Sequence, residues 1–248
     1  MQYKEYGKQN RDVIILLHGG GLSWWNYREV AERLQNVFRI IVPILDGHAG
    51  SDKNFTTIED NAAEIISFID VKFGGSVLLI GGLSLGGQIL LEMLSQRKDI
   101  CRFAMVESAA VIPSKLTYLL IKPAFGSCYG LIRQKWFSKL QFRSLRIKSE
   151  LFNDYYQDTC GITKQNMIVF LQESSMYFMK KSLRECTTDI HLFVGERENK
   201  RIRFSARKLH ETLEKSNLYV LQTMHHGEFS INHADLYVKE LCAIVKQR

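Results

Sequence analysis

The sequence predicts an α/β domain on a mostly parallel sheet with helices on both faces, and three observations carry that prediction. Short apolar, β-branched runs alternate with amphipathic stretches along most of the 248 residues, and strands separated by helices imply a parallel sheet covered on both sides. A glycine-rich turn around Ser84 joins an apolar run to a helical one. Residues 111–186 interrupt the alternation with helix-prone, strand-poor sequence, as an insertion does. With 46% hydrophobic residues the chain can bury one sizeable core. Residues 1–110 and 187–248 are therefore expected to form that core, and 111–186 a helical cap inserted after the strand ending near Glu107.

Residues 13–17, VIILL, read as the first strong strand, 26–35 as a helix and 39–44 as the next strand. Residues 57–73 form a helix because Ile58, Ala62, Ile65, Ile66 and Ile69 fall on one face. Strands at 77–80 and 102–106 flank a turn at 81–87 and a helix beginning at Gln88. Later strands at 190–194 and 218–221 alternate with helices at 204–215 and 234–246. Insertions and ligands both sit at the carboxyl ends of parallel strands, so the inserted helices are expected to be a lid over a site there.

Composition narrows the class further. The formal net charge is +7, a mild excess compatible with acidic partners but more often a matter of solubility. Five cysteines, at 101, 128, 160, 186 and 242, include no CxxC pair and no metal-like spacing, which argues against a disulfide framework or a zinc site. The polar opening MQYKEYGKQNRD lacks the apolar core of a secretory signal, so a soluble, cytoplasmic protein is expected.

Gly82-Leu83-Ser84-Leu85-Gly86 matches G-x-S-x-G and lies between strand and helix, as a nucleophile elbow requires. A serine on so sharp a turn needs small residues two before and two after it, where a side chain would strike neighbouring backbone. His18-Gly19-Gly20-Gly21 follows the first strong strand. Its amides, at Gly20 or Gly21, together with the Leu85 amide, are candidate donors to a developing oxyanion. A serine nucleophile needs a base, and the base an orienting acid. His226, in MHHGEF after the last strand, is the candidate base, with His225 and His233 as weaker choices. Glu198, three residues past Gly195, is the favoured acid; Glu107, at the end of an earlier strand, is the other contender, and Glu196 is expected to face away.

With these motifs in view, the chain resembles an α/β-hydrolase, closest in kind to small cap-bearing bacterial esterases and lipases. HGGG at 18–21, DGHAGS at 46–51, the elbow at Ser84, GERE at 195–198 and His226-Gly227 carry the resemblance, which spans residue 13 to the C-terminus apart from the insertion. The order Ser, Glu, His agrees with the family. The resemblance implies Ser84 as nucleophile, His226 as general base and acid, and Glu198 as the orienting carboxylate. It implies that Asp46 and His48 buttress the site; in a departure from the family only twelve residues precede the first strong strand, so the antiparallel strands that open the fold are expected to be shortened or partly missing.

The expected activity is hydrolysis of a small-molecule ester or thioester through an acyl-enzyme, with no metal or organic cofactor. The same residues would serve a cofactor-free C–C bond hydrolase or an acyltransferase, and some members of this fold only bind ligands. Residues 108–149 hold Lys115, Lys122, Arg133, Lys135, Lys139, Arg143, Arg146 and Lys148 and no acid, interleaved with Tyr118, Phe125, Tyr129, Trp136, Phe137 and Phe142. One expectation is a lid with aromatics facing a substrate tunnel and solvated cations. The other is that this face meets an acidic acyl donor or an anionic surface, as in a weak contact with an anionic membrane. Nucleic acid is not expected, because no recognised module accompanies the basic residues.

Overall fold

In the computed structural model, which describes residues 1–246, seven strands make one sheet in the order β1-β3-β2-β4-β5-β6-β7. Gln247 and Arg248, which end the expected core range, lie outside the described residues. The strands are β1 (Tyr3–Tyr6), β2 (Val13–Leu17), β3 (Arg39–Pro43), β4 (Val77–Leu83), β5 (Cys101–Glu107), β6 (Asp189–Gly195) and β7 (Ser216–Leu221). From β3 to β7 every neighbouring pair is parallel; β1 alone runs antiparallel, from Tyr3 opposite Pro43 to Tyr6 opposite Ile40. Central strands are apolar on both faces because both are covered. Ile15, Leu17, Ile80 and Ala104 pack into one layer with α2 (Ile58–Phe73) and α3 (Leu85–Gln96). Ile14, Leu16, Leu79 and Met105 pack into the other with α1 (Arg28–Leu34) and α10 (Ala234–Val245).

Three elements differ from the sequence expectation, each for a local reason. β1 is a half-buried YKEY edge strand with no continuous apolar run, so it leaves little pattern to read. β4 continues through Gly81 and Gly82 to Leu83, and the turn expected at 81–87 shrinks to Ser84. Those glycines are not breakers here; a Cβ on Gly81 would lie 2.5 Å from the Tyr237 hydroxyl, so the strand needs them for close packing. α8 (Lys200–Thr212) starts four residues before the expected 204 because the Asn199 side chain accepts from the Ile202 amide at 3.0 Å and caps it.

Between β5 and β6 lie α4 (Lys115–Ile132), α5 (Lys135–Ser144), α6 (Phe152–Gly161) and α7 (Lys164–Met176). Polar contacts tie them to the sheet and its loops. Trp25 Nε1 donates to Asp158 at 2.8 Å, Arg28 pairs with Asp154 at 2.9 Å, and the Phe55 amide donates to Asn166 at 3.1 Å. α9 (Glu228–Asn232) is a single short turn leading into α10.

Candidate active site

Ser84 sits between β4 and α3 with φ of +54°, a conformation that costs any L residue about 1–2 kcal/mol. Parallel pairing enforces it: the Ser84 amide donates to the Glu107 carbonyl at 2.8 Å while α3 begins at the very next residue. A Cβ on Gly82 would lie 2.4 Å from the Gly86 carbonyl oxygen, and one on Gly86 would lie 2.2 Å from the Leu17 oxygen. Both distances are inside van der Waals contact with backbone, so the small residues two before and two after the serine are required by the close packing of α3 against β4 and against the end of β2.

The loop after β7 brings His226 to this turn. The Ser84 hydroxyl donates to His226 Nε2 at 3.0 Å, and His226 Nδ1 donates to Glu198 Oε2 at 2.9 Å. The other carboxylate oxygen, Oε1, accepts from the Ser108 hydroxyl at 2.6 Å and from the Gly195 amide at 2.9 Å. Burial would raise the Glu198 carboxyl, but the hydrogen bond and charge of His226, the Ser108 hydroxyl and the Gly195 amide outweigh it and leave the group below its usual range. Ser108, itself at φ +58°, was not singled out by the sequence; its only signal is its place directly after the strand-ending Glu107.

The alternative candidates are engaged elsewhere. Glu107 is buried, and its Oε1 accepts from the Ser230 amide at 3.4 Å; among the described residues its other oxygen has no partner. Burial pushes its carboxyl up to about 7, opposed by the Ser230 hydrogen bonds and helped by the charge of Glu198. Glu196 accepts from the Thr223 amide at 2.9 Å, and His225 pairs with Glu228 at 3.3 Å. The His233 backbone stands between α9 and α10 as the N-cap residue of the latter.

The two histidines of the glycine-rich loops act together. His48 Nδ1 donates to the Asp46 carbonyl at 3.0 Å, and its Nε2 accepts from the Gly21 amide at 3.0 Å. His18 Nδ1 donates to the Gly19 carbonyl at 2.9 Å, and its Nε2 accepts from the Leu45 amide at 3.2 Å. Each ring must be neutral to accept, and burial holds it so: His18 falls to about 3 and His48 to about 4. This corrects the expectation for Gly21, whose amide is committed to His48 and not open to a substrate. Among the described residues the Gly20 and Leu85 amides have no partner within the chain.

Ser84 and His226 line a cavity of about 80 Å³ with Leu83, Ile147 and Ile231. A second cavity of about 180 Å³, walled by Phe125, Ile132, Tyr155, Met167, Phe170 and Leu171, borders Gly20 and Gly21. Gly20, Leu22 and Leu145 belong to both, so the two meet at the glycine whose amide is free. Apart from His226, no ionisable group among the described residues other than the Tyr155 phenol lines either cavity. Of the six aromatics at 118–142, only Phe125 lines either of these two cavities; Phe142 is buried against Phe152 and Tyr155, and Trp136 faces solvent. A wider, open hollow of about 750 Å³ at the amino ends of the strands, around Asp12, Val77 and Arg102, holds none of the predicted site residues.

No protein of curated function matches the chain in sequence. Solved structures resemble it across their length. The bromoperoxidase from Bacillus anthracis superposes with a TM-score of 0.83 at 14% identity, over 98% of this chain and 94% of that one. The esterase EaEST from Exiguobacterium antarcticum gives 0.82 at 17%, over 98% and 94%. The enol-lactonase from Burkholderia xenovorans LB400 gives 0.81 at 14%, over 99% and 96%. At such identities the likeness shows the fold. Residues 12–148, more than half of the chain, match the sequence profile described as the alpha/beta hydrolase fold, and the chain belongs to that family.

Proposed function

We propose that the chain is a serine hydrolase that cleaves a carboxylic ester or thioester, uncharged on both sides of the scissile bond, through an acyl-enzyme. The observation that carries this reading is the unbroken hydrogen-bond line from the Ser84 hydroxyl through His226 to Glu198, set on a strained turn. His226 Nε2 takes the proton as Ser84 Oγ attacks the carbonyl carbon, and Glu198 holds the imidazole in the tautomer that can accept it. The developing oxyanion meets the Gly20 and Leu85 amides, the latter at the N-terminus of α3 where negative charge is favoured. His226 then gives the proton to the leaving oxygen or sulfur, the acyl group stays on Ser84, and a water activated by the same histidine releases the acid. α4–α7 act as the cap that walls the larger cavity.

The cavities also set the substrate. The larger is lined mostly by apolar side chains, which suits an acyl or alkyl chain. With no Lys or Arg among the described residues of either wall, a substrate carboxylate would be desolvated unpaired, which costs several kcal/mol. A panel of nitrophenyl and alkyl esters should show kcat/KM rising as the acyl or alkyl chain lengthens from acetate. The same esters ending in a carboxylate should be slower by at least about 100-fold. Faster turnover of the carboxylate-bearing esters would contradict the neutral-substrate reading.

A further inference from the structure

We propose that the outer face of α4 and α5 seats the protein on an anionic lipid bilayer. α4 is apolar on two sides. Ile121, Phe125 and Ile132 point inward, the last two lining the larger cavity. Leu116, Leu119, Leu120, Pro123 and Leu131 recur at i, i+3, i+4, i+7 and i+15, which places them on one stripe of the helix, and all of them are exposed. On α5, joined to α4 by two residues, Trp136 and Leu140 are exposed as well. Leu116, Leu119, Leu120, Trp136 and Leu140 each lie between 56% and 69% exposed. Scattered apolar residues on a surface need no partner, whereas a run along consecutive helices marks a contact site.

Charge decides what the partner is. Lys115, Lys122, Arg133, Lys135, Lys139 and Arg143 border this apolar surface, and among the described residues none of them is in an ion pair. No Asp or Glu occurs from Ser108 to Ser149. A second copy of the chain placed there would set cations against cations, a juxtaposition that costs several kcal/mol. An anionic bilayer offers the complement: headgroup phosphates for Lys and Arg, and the acyl boundary for leucines and an interfacial tryptophan. Among the described residues no helix is long and apolar enough to cross a membrane, so the contact is peripheral. Because the inward face of α4 walls the larger cavity, the seat would put that cavity next to lipid; the seat itself does not depend on the reaction proposed for Ser84.

The test is sedimentation of the full chain with vesicles of phosphatidylcholine alone or with one-third phosphatidylglycerol, at low and moderate salt, with tryptophan emission of the parent and of Trp136→Phe read alongside to isolate the Trp136 contribution. Binding to the anionic vesicles, a blue shift of the emission and weakening by salt are expected. Neutralising Lys115 and Lys122 with Gln should lower the partition coefficient about fivefold per residue, the equivalent of ~1 kcal/mol for each charge near the surface. Leu116→Ser/Leu119→Ser/Leu120→Ser should abolish binding while its circular dichroism and its turnover of a soluble acetate ester stay those of the parent. No binding, equal binding to both vesicles, or binding that salt leaves unchanged would overturn the proposal. So would a dimer without vesicle binding that the triple variant dissociates, since the face would then belong to a second copy.

Discussion

Ser84→Ala is expected to lose on the order of 10⁶-fold in kcat, the scale seen when a triad serine is removed from a serine protease. What survives is the contribution of the oxyanion donors and of substrate binding. The fold should not change with it. Alanine accepts φ of +54° no worse than serine does, and the side chain's one hydrogen bond, to His226, is worth about 1 kcal/mol. Thermal melting of the variant should therefore stay close to that of the parent while turnover of any active ester vanishes. Turnover within tenfold of the parent would remove Ser84 from the mechanism.

Glu198→Gln is expected to depress kcat by about 10⁴-fold, as when a triad aspartate becomes an amide. The hydrogen bonds predict why. The amide oxygen of the substituted side chain would still accept from Ser108 and Gly195, which turns its NH₂ toward His226 Nδ1. Nδ1 must then accept, the ring proton moves to Nε2, and the nitrogen facing Ser84 can no longer take the hydroxyl proton. Glu107→Gln should change turnover only a few-fold and show itself in stability. Burial raises the Glu107 carboxyl from 4.5 to about 7 in the fold. A raised carboxyl stabilises the fold below its unfolded value and loses that contribution as pH climbs to the folded one. The parent should therefore lose stability relative to Glu107→Gln as pH rises from about 4.5 to 7 and level off above. The opposite ranking of the two variants in kcat would move the orienting acid to β5.

The parts of this arrangement that follow from local pattern were legible in the sequence, and the parts that depend on which chain segment lies next to which were not. VIILL at 13–17 and the GLSLG elbow announce themselves because burial on both faces and a turn hemmed in by backbone each demand particular residue types at fixed spacing. Choosing between Glu198 and Glu107 is different in kind, since Glu107 ends a parallel strand and Glu198 lies three residues past the end of the next. What separates them is spatial: His226 Nδ1 meets Glu198, whose other oxygen Ser108 and Gly195 hold, while Glu107 accepts from the Ser230 amide. The Gly21 amide reads as available because nothing in HGGG reveals that His48, 27 residues on, accepts from it. The leucines of α4 were not legible as one outward stripe for the same reason: which side of that helix walls a cavity and which is left exposed depends on the elements packed around it.

The central claim, that Ser84 is a nucleophile activated by His226, is tested most directly by treating the native protein with a fluorophosphonate and locating the modified residue by peptide mass spectrometry. One stoichiometric phosphonyl adduct on Ser84 is expected, formed in step with loss of ester turnover, absent from Ser84→Ala and strongly slowed in Glu198→Gln. An unmodified Ser84 in folded protein, or full labelling at another residue with turnover lost alongside it, would contradict that claim.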